Sequence, residues 1–231
     1  MILTLLEGGD IRNTLIPLLL MIPIILFSLS FHEAAHALIA YKMGDPTARN
    51  LGRLTLNPIV HLDPFGALSM LLIGIGWAKP VPINTRNFDN PRKGMMLSAL
   101  AGPVSNLILA IGFAILTVVY EAIFIYGHEI TVVSWIFWEL FYLGTYLNCA
   151  LAIFNLIPAP PFDGSRIFFY FLPKNWYFKV MRYERFIGLG VVVVLLVLSW
   201  LGFSPVSFLA DGLATWLCYP FRLLVGLIQG A

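Results

Sequence analysis

Long apolar runs without a charged side chain dominate this chain. The runs that contain no Asp, Glu, Lys or Arg cover residues 13–31, 94–120, 140–162 and 186–210. Each approaches or exceeds the roughly 20 residues that a helix needs to cross a membrane. We predict helices over about residues 13–43, 94–126, 131–157 and 186–203. The last stretch, residues 206–229, also contains Asp211, Pro220 and Arg222, so the pattern leaves open whether it spans the membrane or lies at its surface.

The segment between the first two helices has a different pattern. Residues 51–58 (LGRLTLNP) and 77–85 (WAKPVPINT) alternate or carry prolines, which predicts two short strands. Residues 65–77 (FGALSMLLIGIGW) are apolar but too short to cross, which predicts a re-entrant segment. The fold class is therefore an all-α polytopic membrane protein of about 4–6 transmembrane helices, with a small β-strand and re-entrant insertion after the first helix.

Composition and charge agree with this fold class. Of the 231 residues, 59% are hydrophobic and 11% are charged, whereas soluble domains carry about 25% charged residues. A soluble domain is excluded, and the lipid bilayer is the expected environment. Without a repeat or a linker, residues 1–231 are treated as one domain. The formal net charge of +2 gives no reason to expect a nucleic-acid partner.

The distribution of basic residues predicts the orientation of the helices. Twelve of the fourteen Lys and Arg lie in residues 42–93 and 158–185, whereas the turns at 127–130 and 202–205 have none. By the positive-inside rule, the two basic segments face the cytoplasm, and the N-terminus and both uncharged turns lie outside. The first helix therefore ends on the cytoplasmic side.

His32, Glu33 and His36 lie near the cytoplasmic end of the first helix. Ionisable side chains at this depth cost at least about 2–3 kcal/mol, so they indicate a functional site. His32 and His36 are one turn apart on the same helix face, from which both imidazoles can reach one zinc ion at about 2.0–2.1 Å. Glu33 lies beside them and suits a general base that takes a proton from zinc-bound water, as in metalloproteases.

A catalytic zinc ion needs a third protein ligand. The remaining candidates are His61, His128 and Asp163. His128 falls in an outer turn, on the wrong side of the membrane, and His61 suits a bond to Asp63 or to the backbone. Asp163 follows a long uncharged helix at the cytoplasmic edge, where a proline-broken backbone can bend inward. Asp163 is therefore the favoured ligand, with a fourth position open for water.

The chain resembles the site-2 protease family of intramembrane zinc metalloproteases in five motifs: FHEAAHALIAY (31–41), TLNPIVHLDPFG (55–66), GWAKPVPIN (76–84), AGPVSN (101–106) and FNLIPAPPFDG (154–164). The resemblance covers about residues 28–170. It implies a catalytic core of three transmembrane helices within about residues 13–170, followed by helices in about residues 186–229. The loops are too short for an inserted PDZ domain.

The resemblance also implies a function. His32, His36 and Asp163 would bind one zinc ion, and Glu33 would be the catalytic base. The protein would be a zinc-dependent endopeptidase that cleaves a transmembrane segment of a membrane-protein substrate, in the bacterial cell membrane, with its active site toward the cytoplasm. The alternatives are a metal transporter and a non-proteolytic zinc-binding membrane protein. An inverted repeat, typical of transporters, is not visible, and the intact Glu33 argues against the second alternative.

Two asparagines join the implied site. Asn106 and Asn155 would line it and help to hold the substrate or the oxyanion. We interpret Asn148 as a packing residue, because Asn in a membrane helix often only bridges neighbouring helices. Gly102 and Pro103 indicate a close helix approach with a kink.

Overall fold

The computed structural model describes residues 11–66, 69, 78–126, 128–173, 180 and 182–229. The helices are α1 (Ile11–Lys42), α2 (Thr47–Asn50), α3 (Pro58–His61), α4 (Pro91–Tyr120), α5 (Val132–Asn155), α6 (Asp163–Phe171), α7 (Glu184–Trp200) and α8 (Pro205–Gln229). A 3₁₀ turn at Thr85–Asn87 precedes α4, and a π-helical turn at Glu121–Ile125 extends it. Among the described residues, four helices, α1, α4, α5 and α8, are long and apolar enough to cross a membrane, which confirms an all-α multi-pass membrane protein.

Helix α4 is the centre of the bundle, and its N-terminus is set by local chemistry. The Asn90 side chain accepts a hydrogen bond from the N–H of Lys93, and Pro91 occupies the first turn, where its missing N–H costs nothing. Helix α4 packs against α1 and α5, and both α6 and α8 also contact it. Small buried residues, such as Ala110 and Ala214, let the helix backbones approach closely, which is the main source of helix attraction in lipid.

Helix α8 runs antiparallel to α5. Near its beginning, Asp211 accepts a hydrogen bond from the Tyr142 hydroxyl at 3.3 Å. Near its end, the Arg222 guanidinium donates two bonds to Glu121, and Glu121 also accepts one from Trp138 Nε1 at 2.9 Å. Because Trp138 precedes Tyr142 on α5, α8 starts at the end of the bundle where α5 finishes.

This direction corrects one prediction about the C-terminal region. The helix predicted at 186–203 is confirmed as α7, which has 17 residues, and the last stretch, which the pattern left open, forms α8, which is long and apolar enough to span. The turn at 202–205 lies toward the end of the bundle that carries Asp163, whereas the pattern of basic residues predicts that the two lie at opposite ends. The absence of charged residues does not itself place a turn on either side of the membrane. Asp211 and Arg222, the charged residues that left the span of α8 open, are both hydrogen-bonded within the bundle.

The two predicted strands are wrong within the described residues. Residues 51–56 form turns and bends, and residues 78–84 carry no ladder. A single antiparallel bridge, between Leu62 and Ala78, connects this region.

Local chemistry explains why no ladder forms there. Gly52 has a φ of 69°, which turns the chain out of an extended path. Pro80 and Pro82 have no N–H to donate to a neighbouring strand. Most of the predicted re-entrant segment, residues 67–77 apart from residue 69, lies outside the described residues.

Candidate metal centre

His32, His36 and Asp163 meet where the end of α1 approaches the start of α6. The Nε2 atoms of His32 and His36 lie 3.2 and 3.3 Å from Asp163 Oδ2, and 3.0 Å from each other. Both histidines are buried, and the Asp163 side chain is 22% exposed. Within the described ranges, these are the three residues of metal-binding type that converge on one point.

The chemistry of these three atoms fits a metal cation. Two imidazole nitrogens and one carboxylate oxygen present lone pairs to the same point, where they repel one another unless a cation lies between them. Asp163 Oδ2 is buried and has no hydrogen-bond partner among the described residues. Two histidines and one carboxylate form a known ligand set of catalytic zinc sites, in which a fourth position stays open.

The other ring nitrogen of each histidine is held by α4. His32 Nδ1 lies 2.6 Å from Asn106 Oδ1, and His36 Nδ1 lies 2.6 Å from the carbonyl oxygen of Ser98. Both oxygens are acceptors, so each Nδ1 must carry the proton. In the neutral imidazole, each Nε2 is then unprotonated and can bind a metal. Hydrogen bonds to the other ring nitrogen have this effect in most histidine metal sites.

Gly102 lets α4 approach both rings. A Cβ at this position would lie 2.5 Å from Cε1 of His32 and of His36, which is closer than real Cβ atoms come. The glycine suspected from sequence as a point of close approach therefore lies directly against the candidate ligands.

Asp163 is the first residue of α6, after a proline-rich turn. Gly164 follows it, and a Cβ there would lie 2.3 Å from the carbonyl oxygen of Leu156, so the turn can fold this tightly only with glycine.

Glu33 is buried beside the cluster, with 8% of its surface exposed. Its Oε2 accepts a hydrogen bond from the N–H of Val81 at 3.2 Å. Val81 belongs to the GWAKPVPIN motif, so this motif reaches the candidate base through its backbone.

The three asparagines occupy different surroundings. Asn106 is fully buried and uses both amide atoms, since its Nδ2 donates to Asn148 Oδ1 at 3.1 Å. Asn148 therefore bridges α4 and α5, as its interpretation as a packing residue expects, and it is also bonded to the residue that faces His32. Asn155, the last residue of α5, is partly exposed, and its Nδ2 donates to the Leu151 carbonyl of the same helix at 3.0 Å. His61 stays outside the cluster and bonds to the Thr55 carbonyl at 2.9 Å.

Comparison with known proteins points to one family. The family model described as Peptidase family M50 matches residues 119–199, which include Asp163. A Bacillus subtilis protein named "Putative zinc metalloprotease YwhC" is 46% identical over 175 residues, which are 75% of this chain and 78% of that protein.

More distant relatives have similar names. "Putative zinc metalloprotease Rip2" of Mycolicibacterium smegmatis is 32% identical over 60% of this chain. "Zinc metalloprotease MJ0392" of Methanocaldococcus jannaschii is 26% identical over 90% of this chain. The chain spans about half the length of these two relatives, at 52% and 51%. No solved structure matches the chain.

Proposed function

This chain belongs to the site-2 protease family, peptidase family M50, and we propose that it is a zinc-dependent endopeptidase that cleaves a membrane protein within a transmembrane segment. Family membership and four apolar helices make it a multi-pass membrane metalloprotease. The observation that supports the finer proposal is the convergence of His32, His36 and Asp163, with Glu33 buried beside them.

His32 and His36 would contribute their Nε2 atoms and Asp163 its Oδ2 atom to one zinc ion. When bound, zinc supplies a Lewis acid that lowers the pKa of a coordinated water to about 7. The bonds of both Nδ1 atoms to α4 hold the rings in place and keep the Nε2 atoms unprotonated. The partial exposure of Asp163 leaves one side open to water and to a peptide.

We propose that Glu33 transfers the proton. Val81 holds its Oε2, and its Oε1 has no hydrogen-bond partner among the residues that the structure describes. The free oxygen can accept a proton from the attacking water. The same carboxyl can then give this proton to the leaving amine nitrogen, which completes hydrolysis of the peptide bond.

An apolar groove along α1, beside the turn that carries Glu33, supports the proposal that the substrate is a transmembrane segment. It has a volume of about 350 Å³, and its lining includes Phe31, Ala35, Leu38, Leu54 and Leu56. Substrate side chains that fit such a surface are those of a membrane-spanning segment. Asn155, partly exposed at the end of α5, is the asparagine that could meet a substrate or its oxyanion. We further propose that this end of the bundle faces the cytoplasm of a bacterial cell, as the basic loops predict.

Two substitutions test the proposal. Glu33→Gln should keep one zinc ion per chain and lose cleavage by at least about 100-fold, because the amide cannot accept the proton. Asp163→Ala should lose zinc and activity together. Metal content is measured by mass spectrometry, and cleavage with a panel of single-span peptides in proteoliposomes.

Glu139→Gln is the matched control, since it makes the same change on α5 away from the three ligands. It should retain both zinc and cleavage. Undiminished cleavage by Glu33→Gln would refute the role of Glu33, and full zinc content in Asp163→Ala would refute the ligand set.

A further inference from the structure

We propose that Asn148 is a positioning residue of the metal site: acting through Asn106, it fixes which ring nitrogen of His32 carries the proton, so that Nε2 is free to bind zinc. This inference rests on the proposed function. It concerns a residue that does not touch the ligand atoms, and whose effect passes through one intermediate side chain.

A continuous chain of hydrogen bonds connects the two residues. His32 Nδ1 lies 2.6 Å from Asn106 Oδ1, and Asn106 Nδ2 lies 3.1 Å from Asn148 Oδ1. Asn148 Nδ2 in turn lies 2.8 Å from the carbonyl oxygen of Gly144. This chain of hydrogen bonds connects α1, α4 and α5, and its last acceptor is a backbone carbonyl oxygen.

The backbone carbonyl gives the chain its direction. The Gly144 oxygen can only accept, so Asn148 must turn its NH₂ group toward it and its oxygen toward Asn106. Asn106 must then donate with Nδ2 and present its own oxygen to His32. That oxygen can only accept, which requires a proton on His32 Nδ1 and leaves a lone pair on Nε2.

Burial makes this arrangement costly to reverse. Asn106 and Asn148 are both 0% exposed, so water cannot replace a lost partner. Turning either amide by half a rotation would set oxygen against oxygen or NH₂ against NH₂, at a cost of about 1–3 kcal/mol per unsatisfied group. His36 needs no such chain, because its Nδ1 faces the Ser98 carbonyl directly.

A role in helix packing alone is the competing explanation, since asparagines often bridge membrane helices. Thr145 provides the matched control. It is equally buried, lies three residues before Asn148 on α5, and its hydroxyl faces Thr117 on α4 at 3.5 Å. Thr145→Val therefore removes a polar contact from the same helix interface without touching the chain to His32.

The test measures zinc affinity and the protonated ring nitrogen of His32. Asn148→Leu should weaken zinc binding about 10–100-fold, the usual effect of removing an outer partner of a metal ligand, and Thr145→Val should not. Zinc affinity is measured by competition with a chelator. The ring nitrogens are assigned by ¹⁵N NMR of histidine-labelled, metal-free protein at a pH where imidazoles are neutral, which the total of four histidines makes tractable.

In the wild type and in Thr145→Val, His32 should show a proton on Nδ1 alone, whereas Asn148→Leu should show a mixture of both forms. Asn148→Asp in its protonated form, whose O–H can donate to the Gly144 carbonyl while its other oxygen accepts from Asn106, should restore the single form and most of the zinc affinity. A packing role would not produce this pattern.

The inference is overturned if Asn148→Leu binds zinc as tightly as Thr145→Val and keeps a single form of His32. If Asn148→Leu does not fold, Asn148→Asp decides: a mixture of forms in that variant overturns the inference, and a single form supports it. Neither readout requires proteolysis, so a failure of the Glu33 test would leave this result separately interpretable.

Discussion

Gly102 faces the rings of both candidate histidine ligands across the contact between α1 and α4. Gly102→Ala should abolish zinc binding and reduce cleavage at least about 100-fold, because an added methyl group would displace both rings, and misplacement by about 1 Å can cost that much. Zinc content and cleavage rate are the measurements. Gly112→Ala, on the same helix with open space around the added carbon, should change neither. Full zinc occupancy in Gly102→Ala would contradict the packing described above.

Asp45 anchors the turn that follows α1. It is fully buried and accepts hydrogen bonds from the N–H of Thr47, the N–H of Asn84 and Nδ2 of Asn87. Burial would raise the pKa of Asp45, but these hydrogen bonds outweigh it and lower the pKa below its ordinary value. The bonds connect the end of the ligand-bearing helix to the segment that precedes α4.

This lowered pKa predicts a dependence of stability on pH. Because the folded pKa lies below the unfolded value of about 3.9, the contribution of Asp45 is fully present above that pH and is lost as the pH falls through the folded value. Asp45→Asn should lower the free energy of unfolding by about 2 kcal/mol at pH 7, since the lost bonds are to a charged group. Thermal unfolding of both proteins from pH 7 to pH 3 should show the difference shrinking below about pH 4. A constant difference would disprove this role.

The residues of the site differ in how well their roles can be predicted from the sequence. The spacing of His32 and His36 and the position of Asp163 after a proline-rich turn predict ligands, because helix geometry and chain bending act locally. Asn148 could not be assigned in the same way. Its role depends on which atom of Asn106 it faces across a helix interface, and no local pattern contains that information.

Helix α6 carries Asp163 and is held at both ends. At its C-terminal end, Arg92 donates to the carbonyl oxygens of Phe169, Tyr170 and Leu172 at 2.7–3.2 Å. Ahead of its N-terminal end, Pro160 contacts α7, where a Cβ on Gly188 would lie 3.1 Å from the Pro160 carbonyl oxygen. The position of the carboxylate ligand therefore depends on α4 and α7.

Gly188→Val should weaken zinc binding about 10-fold, because the larger side chain would push the Pro160 turn, and Asp163 with it, away from the histidines. Competition with a chelator measures the affinity. Gly190→Val makes the same change two residues later, where nothing lies within 4 Å, and should bind zinc normally. Equal affinities would show that α7 does not support the turn.

Among the helices, α1, α4, α5 and α7 were predicted from the sequence, whereas the pattern left open whether α8 spans the membrane. Helices α1, α4 and α5 follow from uncharged runs of sufficient length, because each must satisfy its own backbone hydrogen bonds in lipid. The predicted strands failed because prolines and a left-handed glycine override a short apolar alternation. The sequence could not decide whether α8 spans the membrane, because the partner of Arg222 is Glu121, which lies about a hundred residues earlier in the chain.

The direction of α8 sets the arrangement of the entire bundle across the membrane. Phe203→Cys and Asp89→Cys should react with a membrane-impermeant thiol reagent from the same side, and His128→Cys from the opposite side. All three parent residues are exposed, and the native Cys149 and Cys218 are buried, so the background should be low. Labelling of Phe203→Cys together with His128→Cys would require α8 to run the other way.

The candidate ligands come from two parts of the chain that are far apart in sequence, α1 and the start of α6. An ion held by both would cross-link them, so that folding of the bundle and loading of the ion become thermodynamically coupled. A cell short of zinc would then contain a looser protein and not merely an idle one. Metal supply would govern how long each copy survives degradation as well as how fast it works.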